Sequence, residues 1–255
     1  MKFHRALRIL GLAITSGLLV CALATSADAA VQQASSTNWS GPEGRPLAIG
    51  SAPVTHAEAS FTIPTLTCGP KTTQVVIWVG MDSKDERVTQ AGVRGLCING
   101  VEQWSGFFEA YPANPSMLPI PALSNLRSGE SVWLRVDYRP DIARDAFVAD
   151  FMIYPPNAPS QMVLKNFYSP SGAKQRARSE CVVERTDTRL PVAKFTDLPM
   201  VCIGGTSDTQ VFLPGNGLSQ ASSIKQLVNN HGKTLVSVTP MDSGSWVNFH
   251  WLAAQ

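Results

Sequence analysis

The stretch "SVWLRVDYRP" at residues 131–140 decides the fold class. Every second side chain in it is apolar or aromatic, in the order Val132, Leu134, Val136 and Tyr138. A period of two places these side chains on one face of a β-strand and the intervening ones on the other face. The stretch is therefore predicted to be a strand with one face in a core.

Short runs of the same kind follow one another along the chain. Examples are "HAEASFTIPT" at 56–65, "QVVIWVG" at 74–80, "DAFVADFMIYPP" at 145–156 and "SWVNFHWL" at 245–252. Gly, Pro, Asn and Ser separate the runs, as turn residues do. The series predicts an all-β protein with two antiparallel sheets packed as a sandwich. For "GLSQASSIKQLVNN" at 217–230, a helix and a strand with a turn both remain open. The proline-rich stretch 112–130 is predicted to be a loop at the rim of a site.

The first thirty residues have the pattern of a secretory signal peptide. Lys2, Arg5 and Arg8 precede an apolar segment at 9–24, and "ADAA" at 27–30 offers small residues for cleavage. We expect residues 31–255 to form a single mature domain, secreted to the extracellular space or the periplasm. No later apolar run reaches the roughly 18 residues that cross a bilayer, so no membrane attachment is expected after cleavage.

The charge and cysteine content of residues 31–255 narrow the class of protein. The leader holds three of the 21 basic and one of the 19 acidic residues, which leaves 18 of each sign. A nucleic-acid partner is not expected, because such binders carry a basic excess. Four cysteines remain in the mature part, Cys68, Cys97, Cys181 and Cys202. An even number in an exported chain favours two disulfides, with three possible pairings, over a zinc site that lacks closely spaced cysteine pairs.

The familiar hydrolase signatures are absent from the sequence. It has no G-x-S-x-G and no H-E-x-x-H, and the mature histidines His56, His231 and His250 are scattered. Acid and amide groups remain. In "ARSECVVERT" at 177–186, Arg178, Glu180 and Glu184 share one strand face, and Gln90 lies within "VTQAG" at 88–92.

Six motifs in a fixed order carry a family resemblance. They are "STNWSG" at 36–41, "ASFTIP" at 59–64, "IWVGMDS" at 77–83, "VTQAG" at 88–92, "SGFFEAYP" at 105–112 and "SECVVER" at 179–185. Together they resemble the glutamic peptidases, the eqolisin or G1 family. The resemblance implies a sandwich of the concanavalin A-like lectin and glucanase type. It also implies polypeptide substrates and neither a metal nor an organic cofactor; we expect a monomer.

The same resemblance assigns the site residues. Gln90 and Glu184 match the catalytic pair, while Trp39, Trp78, Asp82, Glu109 and Tyr111 match residues that line or brace the cleft. A primary amide donates hydrogen bonds to a developing oxyanion without titrating. A carboxylate takes a proton from water and returns one to the leaving nitrogen. With Arg178 on the same face to lower the pKa of Glu184, we expect an acid-active endopeptidase.

Other assignments remain open at this point. The disulfides cannot be carried over from the family, and the pairings we favour are Cys68–Cys97 and Cys181–Cys202. A lectin-like glycan- or peptide-binding sandwich is the main alternative function. A glycoside hydrolase would need two closer carboxylates than Glu180 and Glu184, which are roughly 13 Å apart along one strand, so only Glu109 with Glu184 stays possible.

Overall fold

The computed structural model describes residues 32–44, 53–82, 87–169, 176–187, 189–206, 210–213, 223–241 and 246–255. The predicted signal peptide lies outside these residues. Within them, no helix is long and apolar enough to cross a membrane.

Eighteen strands and one short 3₁₀ helix make up the described structure. The strands are β1 Gln32–Ser36, β2 Trp39–Gly44, β3 His56–Thr62, β4 Leu66–Thr67, β5 Thr73–Asp82, β6 Val88–Ile98, β7 Val101–Ala110, β8 Asn114–Pro119, β9 Ser131–Tyr138, β10 Ala146–Tyr154, β11 Gln161–Tyr168, β12 Arg178–Glu184, β13 Lys194–Phe195, β14 Leu198–Gly205, β15 Gln210–Phe212, β16 Ser223–Val228, β17 Thr234–Pro240 and β18 Trp246–Trp251. The 3₁₀ helix spans Pro121–Leu123.

The strands form a sandwich, as the alternation predicts. The hydrogen-bonded order is β11-β10-β9-β3-β14-β18-β17-β16-β2-β12-β5-β6-β7-β8, and the pairs along it are antiparallel. Strand β1 adds to β16 in parallel. Strands β3, β9 and β14 of one layer pack across the core against β5, β6 and β12 of the other. We call the layer that contains β2, β12, β5, β6 and β7 the cleft sheet.

Side chains along β5 alternate between the core face and the outer face of the cleft sheet. Ile77 and Val79 belong to the main core, whereas Trp78 packs in a smaller cluster with Val76, Phe107 and Val182. A strand sends successive side chains to opposite faces, so Trp78, Gly80 and Asp82 share the face away from the core. That face carries the predicted site residues.

The structure corrects one prediction made from the sequence and decides another that was left open. The proline-rich stretch is partly ordered as β8 and the 3₁₀ helix, because β8 pairs with β7 and Leu123 is buried. Of the segment 217–230, left open between helix and strand, residues 217–222 lie outside the described residues; the rest contains β16, and a turn follows at 230–232. The strand is stabilised by pairing with β2 and β17, a long-range contact that local sequence does not reveal.

The cysteines confirm one predicted pairing and overturn the other. Cys68 and Cys97 form a disulfide, which also removes the four-thiolate zinc alternative. Cys181 and Cys202 are free, so the predicted Cys181–Cys202 disulfide is wrong. Both thiols are fully buried in the core between β12 and β14, where a free cysteine packs as a small apolar side chain. The Cys181 thiol donates instead to the backbone oxygen of Glu58, at 3.5 Å.

Candidate active site

An open cleft of about 1090 Å³ lies on the outer face of the cleft sheet. Every site residue predicted from sequence lines it: Trp39, Trp78, Asp82, Gln90, Glu109, Tyr111 and Glu184. A smaller cavity of about 450 Å³ lies elsewhere, against β3, β9 and β10, and contains none of them. The larger cleft is therefore the candidate active site, because the chemically capable side chains converge there.

Strand register explains why these residues meet. Glu180, Gly80, Gln90 and Glu109 lie opposite one another on four successive strands. The next row along the strands contains Val182, Trp78, Gly92 and Phe107. Residues that are distant in sequence thus become neighbours on one face of the sheet.

Glycine at position 92 is required by the close packing beneath Trp78. A Cβ atom at this position would lie 2.2 Å from the backbone oxygen of Ile77 and 2.6 Å from the Cβ of Trp78. Both distances are too short for any side chain, so glycine leaves the room that Trp78 occupies. The glycine in "VTQAG" therefore positions the neighbouring strand and its tryptophan.

Glu184 lies at the end of β12 with its carboxyl group held by Trp78. The indole Nε1 donates to Oε2 of Glu184 at 2.6 Å. Burial raises the pKa of Glu184 to about 7; the Trp78 hydrogen bond opposes this rise and the charge of Glu109 adds to it. The expectation that Arg178 lowers this pKa is wrong. Arg178 instead contacts Glu43 at 2.7 Å and Asp82 at 3.7 Å.

Gln90 lies on β6 with its amide group anchored by Glu109. Its Nε2 donates to Oε2 of Glu109 at 2.8 Å, and both side chains are buried. Burial raises the pKa of Glu109, and the bond from Gln90 opposes that rise. The Oε1 atom of Gln90 has no hydrogen-bond partner among the described residues. One amide N–H thus faces Glu109, and the second remains for another acceptor.

A buried group of charges, which we call the carboxylate cluster, lies at the other end of the cleft. It contains Glu43, Asp82 and Glu180, whose nearest carboxylate oxygens all lie within 4.8 Å of one another. The cluster also includes two cations, Arg178 and Lys225, which contact Oε2 of Glu43 at 2.7 and 3.0 Å. Asp82, assigned by resemblance to the cleft, is part of this cluster.

Two members of the cluster, Glu43 and Lys225, were not predicted from the sequence. Glu43 occupies a buried position on β2, where Ser223 donates to its Oε1 at 2.6 Å. Lys225 lies on β16, and its Nζ also lies over the Trp39 ring, 3.9 Å from the ring centre. A charged residue within a strand was the only sequence signal for either, and such residues usually face solvent.

Trp39 and Tyr111 form parts of the cleft wall. Trp39 is opposite Glu184 in the pairing of β2 with β12. Tyr111 directly follows β7 and is 45% exposed, so it lies at the rim. An aromatic side chain exposed at a cleft edge offers apolar surface to a bound chain.

Comparison with known proteins agrees with this arrangement. The sequence profile of the Peptidase A4 family matches residues 37–250, so the chain belongs to that family. The fold and family together define the class of protein, a glutamic peptidase of the G1 or eqolisin type that hydrolyses peptide bonds. No curated protein sequence matches the chain.

Solved structures of low sequence identity share the fold. Scytalido-glutamic peptidase with a peptide-based transition-state analogue is similar at a TM-score of 0.63 and 16% identity, covering 85% of this chain and 98% of that one. SCP-B, an eqolisin in complex with the tripeptide Ala-Ile-His, has a TM-score of 0.61, 16% identity and the same coverage. Aspergilloglutamic peptidase from Aspergillus niger has a TM-score of 0.56 and 15% identity, covering 71% of this chain and 99% of that one.

Proposed function

We propose that this protein is a secreted, acid-active endopeptidase that uses Glu184 and Gln90 as its catalytic pair. The observation that carries the proposal is the convergence of a partly buried carboxyl and a buried amide in one open cleft, each held by a partner side chain. The protein acts on polypeptides, as a monomer, and the chemistry of the pair needs no cofactor.

Glu184 is the group that moves protons. As a carboxylate it removes a proton from the attacking water, and it then delivers that proton to the nitrogen of the departing amine. Trp78 fixes the carboxyl through Oε2, which leaves Oε1 to contact the water. The partial burial of Glu184 strengthens it as a base, because a carboxylate whose conjugate acid has a pKa of about 7 holds protons more firmly than an exposed one.

Gln90 stabilises the negative charge that develops on the carbonyl oxygen. Its amide cannot lose a proton, so it donates at any working pH. The bond to Glu109 fixes the orientation of the amide before substrate arrives, and a donor fixed in advance is the most effective kind. Removing one such donor from an oxyanion site costs about 10²–10³ in kcat.

The pKa of Glu184 sets the acid side of the working range. Because that pKa is about 7, the ionised share of Glu184 falls tenfold for each pH unit further into acid. The acid limb of the activity therefore lies in mildly acid solution, closer to neutrality than an exposed glutamate with an ordinary pKa near 4.3 would give, and cleavage below pH 7 depends on the ionised minority of Glu184. Activity is expected to rise with pH through this limb.

The shape of the cleft suits an extended chain that passes through the site. Its walls combine the aromatic faces of Trp39 and Tyr111 with the polar floor of the cleft sheet. The cleft is open, so a peptide bond in the middle of an unfolded polypeptide reaches Glu184. Cleavage at internal bonds follows from this geometry.

Digestion of an unfolded protein tests the proposal. Purified wild-type protein is incubated with a reduced, alkylated substrate protein from pH 3 to 8, beside Gln90→Ala and the matched control Gln226→Ala. Gln226 lies on β16 and bonds the backbone of Val238, away from the cleft lining. We expect internal cleavage by wild type and control, and a 10²–10³-fold loss in Gln90→Ala. A folded wild-type protein that cleaves nothing would instead favour a glycan- or peptide-binding sandwich.

A further inference from the structure

Glu180 is a buried acid that the proposed reaction does not use. It is 2% exposed, and its Oε1 has no hydrogen-bond partner among the described residues. Its carboxyl group lies beside that of Asp82 on the neighbouring strand β5, and one carboxylate oxygen of each lies within 4.8 Å of the other. Two carboxylates have only acceptor atoms, so a hydrogen bond between them requires that one of the two keeps a proton.

The charge of the carboxylate cluster supports a retained proton. With all three acids ionised, Glu43, Asp82 and Glu180 carry three negative charges against the two positive charges of Arg178 and Lys225. One proton makes the cluster neutral. A buried cluster with an uncompensated charge is costly, so the neutral state is the one that burial favours.

Two diagonal contacts join β5 and β12 on the cleft face. Trp78 is opposite Val182 and bonds to Glu184, two residues further along β12. Asp82 is opposite Arg178, and its carboxylate lies within 4.8 Å of that of Glu180, also two residues further along. The Asp82–Glu180 contact therefore has the same cross-strand geometry as the Trp78–Glu184 contact that holds the catalytic carboxyl. The two contacts are four residues apart on each strand.

We propose that Asp82 and Glu180 share a single proton, and that this acid pair positions β12, and with it Glu184, against β5. Glu180 is a positioning residue, since it acts through the strand it shares with Glu184. The positioning role rests on the proposed function of Glu184, whereas the shared proton does not.

The groups that face the pair all belong to the cluster. Glu43 comes from β2, Arg178 from β12 itself and Lys225 from β16, and the uncharged Ser223 bonds Glu43. Burial raises the pKa of Asp82 to about 6 and that of Glu180 well above its usual value; the charge of Asp82 adds to the rise in Glu180, whereas the contact with Glu180 lowers the pKa of Asp82. Acids with a raised pKa in the folded state favour folding at low pH, and that contribution is lost as pH rises through the folded pKa.

The pH dependence of the free energy of unfolding tests whether the pair shares a proton. Denaturant unfolding of the wild-type protein is measured from pH 4 to 8, beside Glu180→Gln, Asp82→Asn and the double variant. A retained proton makes the folding constant fall tenfold per pH unit between the unfolded pKa and the folded pKa of the pair. Either single amide replaces the protonated acid and leaves the cluster neutral, so each should remove that one-proton dependence.

The double variant distinguishes a shared proton from two independent ones. With one shared proton, the double variant has the same pH dependence as either single variant, and it is less stable at every pH because the cluster is left with excess positive charge. Two independently protonated acids would instead give a double variant that loses twice the dependence of a single one. That result, or a pH dependence in Glu180→Gln equal to that of wild type, would overturn the shared proton.

The positioning role has its own readout in the pH profile of cleavage. Loss of the shared proton at higher pH should give wild-type cleavage an alkaline limb. We expect Glu180→Gln, which cannot lose that proton, to keep kcat/KM near the wild-type value in mildly acid solution and to extend activity toward higher pH, while Glu180→Ala loses activity throughout. Equal losses in both variants, or an unchanged alkaline limb in Glu180→Gln, would refute positioning by the pair. A wild-type protein without any peptidase activity would refute the proposed function and leave the unfolding result standing.

Discussion

Replacing Trp78 with phenylalanine isolates the one hydrogen bond that holds the catalytic carboxyl. The change keeps an aromatic ring in the small cluster with Val76, Phe107 and Val182 and removes only the indole N–H. That N–H donates to Glu184 Oε2 at 2.6 Å and opposes the rise in its pKa. Its loss leaves the ionised form of Glu184 less stable.

The size of the effect follows from the strength of such a bond. A hydrogen bond to a charged group contributes about 1.5–3 kcal/mol, and one pKa unit corresponds to about 1.36 kcal/mol. Trp78→Phe should thus raise the pKa of Glu184 by about one to two units above its present value of about 7. At pH 6 the ionised share, and kcat/KM with it, should fall about 10- to 100-fold.

The assay is kcat/KM from pH 4 to 8 with an internally quenched fluorogenic peptide. Trp133→Phe is the matched control, because the Trp133 indole donates to Glu58 Oε1 at 2.8 Å on the other layer. We expect the acid limb to move to higher pH in Trp78→Phe alone. A loss of equal size at every pH, with the limb unmoved, would refute the assigned role of the hydrogen bond.

Three further changes have defined outcomes. Glu109→Gln removes a charge that raises the pKa of Glu184, so the acid limb of kcat/KM should move to lower pH, opposite to Trp78→Phe; an unmoved limb would contradict this. Breaking Cys68–Cys97, which closes a sequence separation of 29, by Cys97→Ser should lower the free energy of unfolding by about 3–4 kcal/mol in denaturant titrations, and a loss under 1 kcal/mol, at the bottom of the usual range, would not fit. Gly92→Ala should lower both the melting temperature and activity, since its Cβ would clash with Ile77 and Trp78; unchanged melting would show that the strands move apart easily.

The strand pattern was readable from the sequence because alternation is a local property. "SVWLRVDYRP" became β9, with Val132, Leu134 and Val136 in the core. Segment 217–230 could not be resolved, since the pairing of β16 with β2 and β17 joins residues far apart in the chain. Local propensity is a weak guide where long-range pairing decides the structure.

The residues of the site could be predicted from the sequence, but their electrostatic interactions could not. Motif order led to Gln90, Glu184 and the aromatic residues, and all of them line the cleft. Arg178 shares a face with Glu184 along β12, yet it contacts Glu43 instead. Sequence gives the face of a strand and not which cross-strand partner a long side chain selects, so the direction of the Glu184 pKa shift was missed.

Glu184→Gln is the most direct test of the central claim that this carboxyl performs the hydrolysis. The substitution keeps the shape of the side chain and an acceptor for the Trp78 N–H, and it removes the group that exchanges protons with water. The measurement is kcat/KM for internal cleavage of one peptide by wild type and variant from pH 4 to 8, with circular dichroism to confirm folding. We expect a folded variant with activity reduced at least about 10²-fold at every pH. A folded Glu184→Gln protein that cleaves at the wild-type rate would contradict the claim.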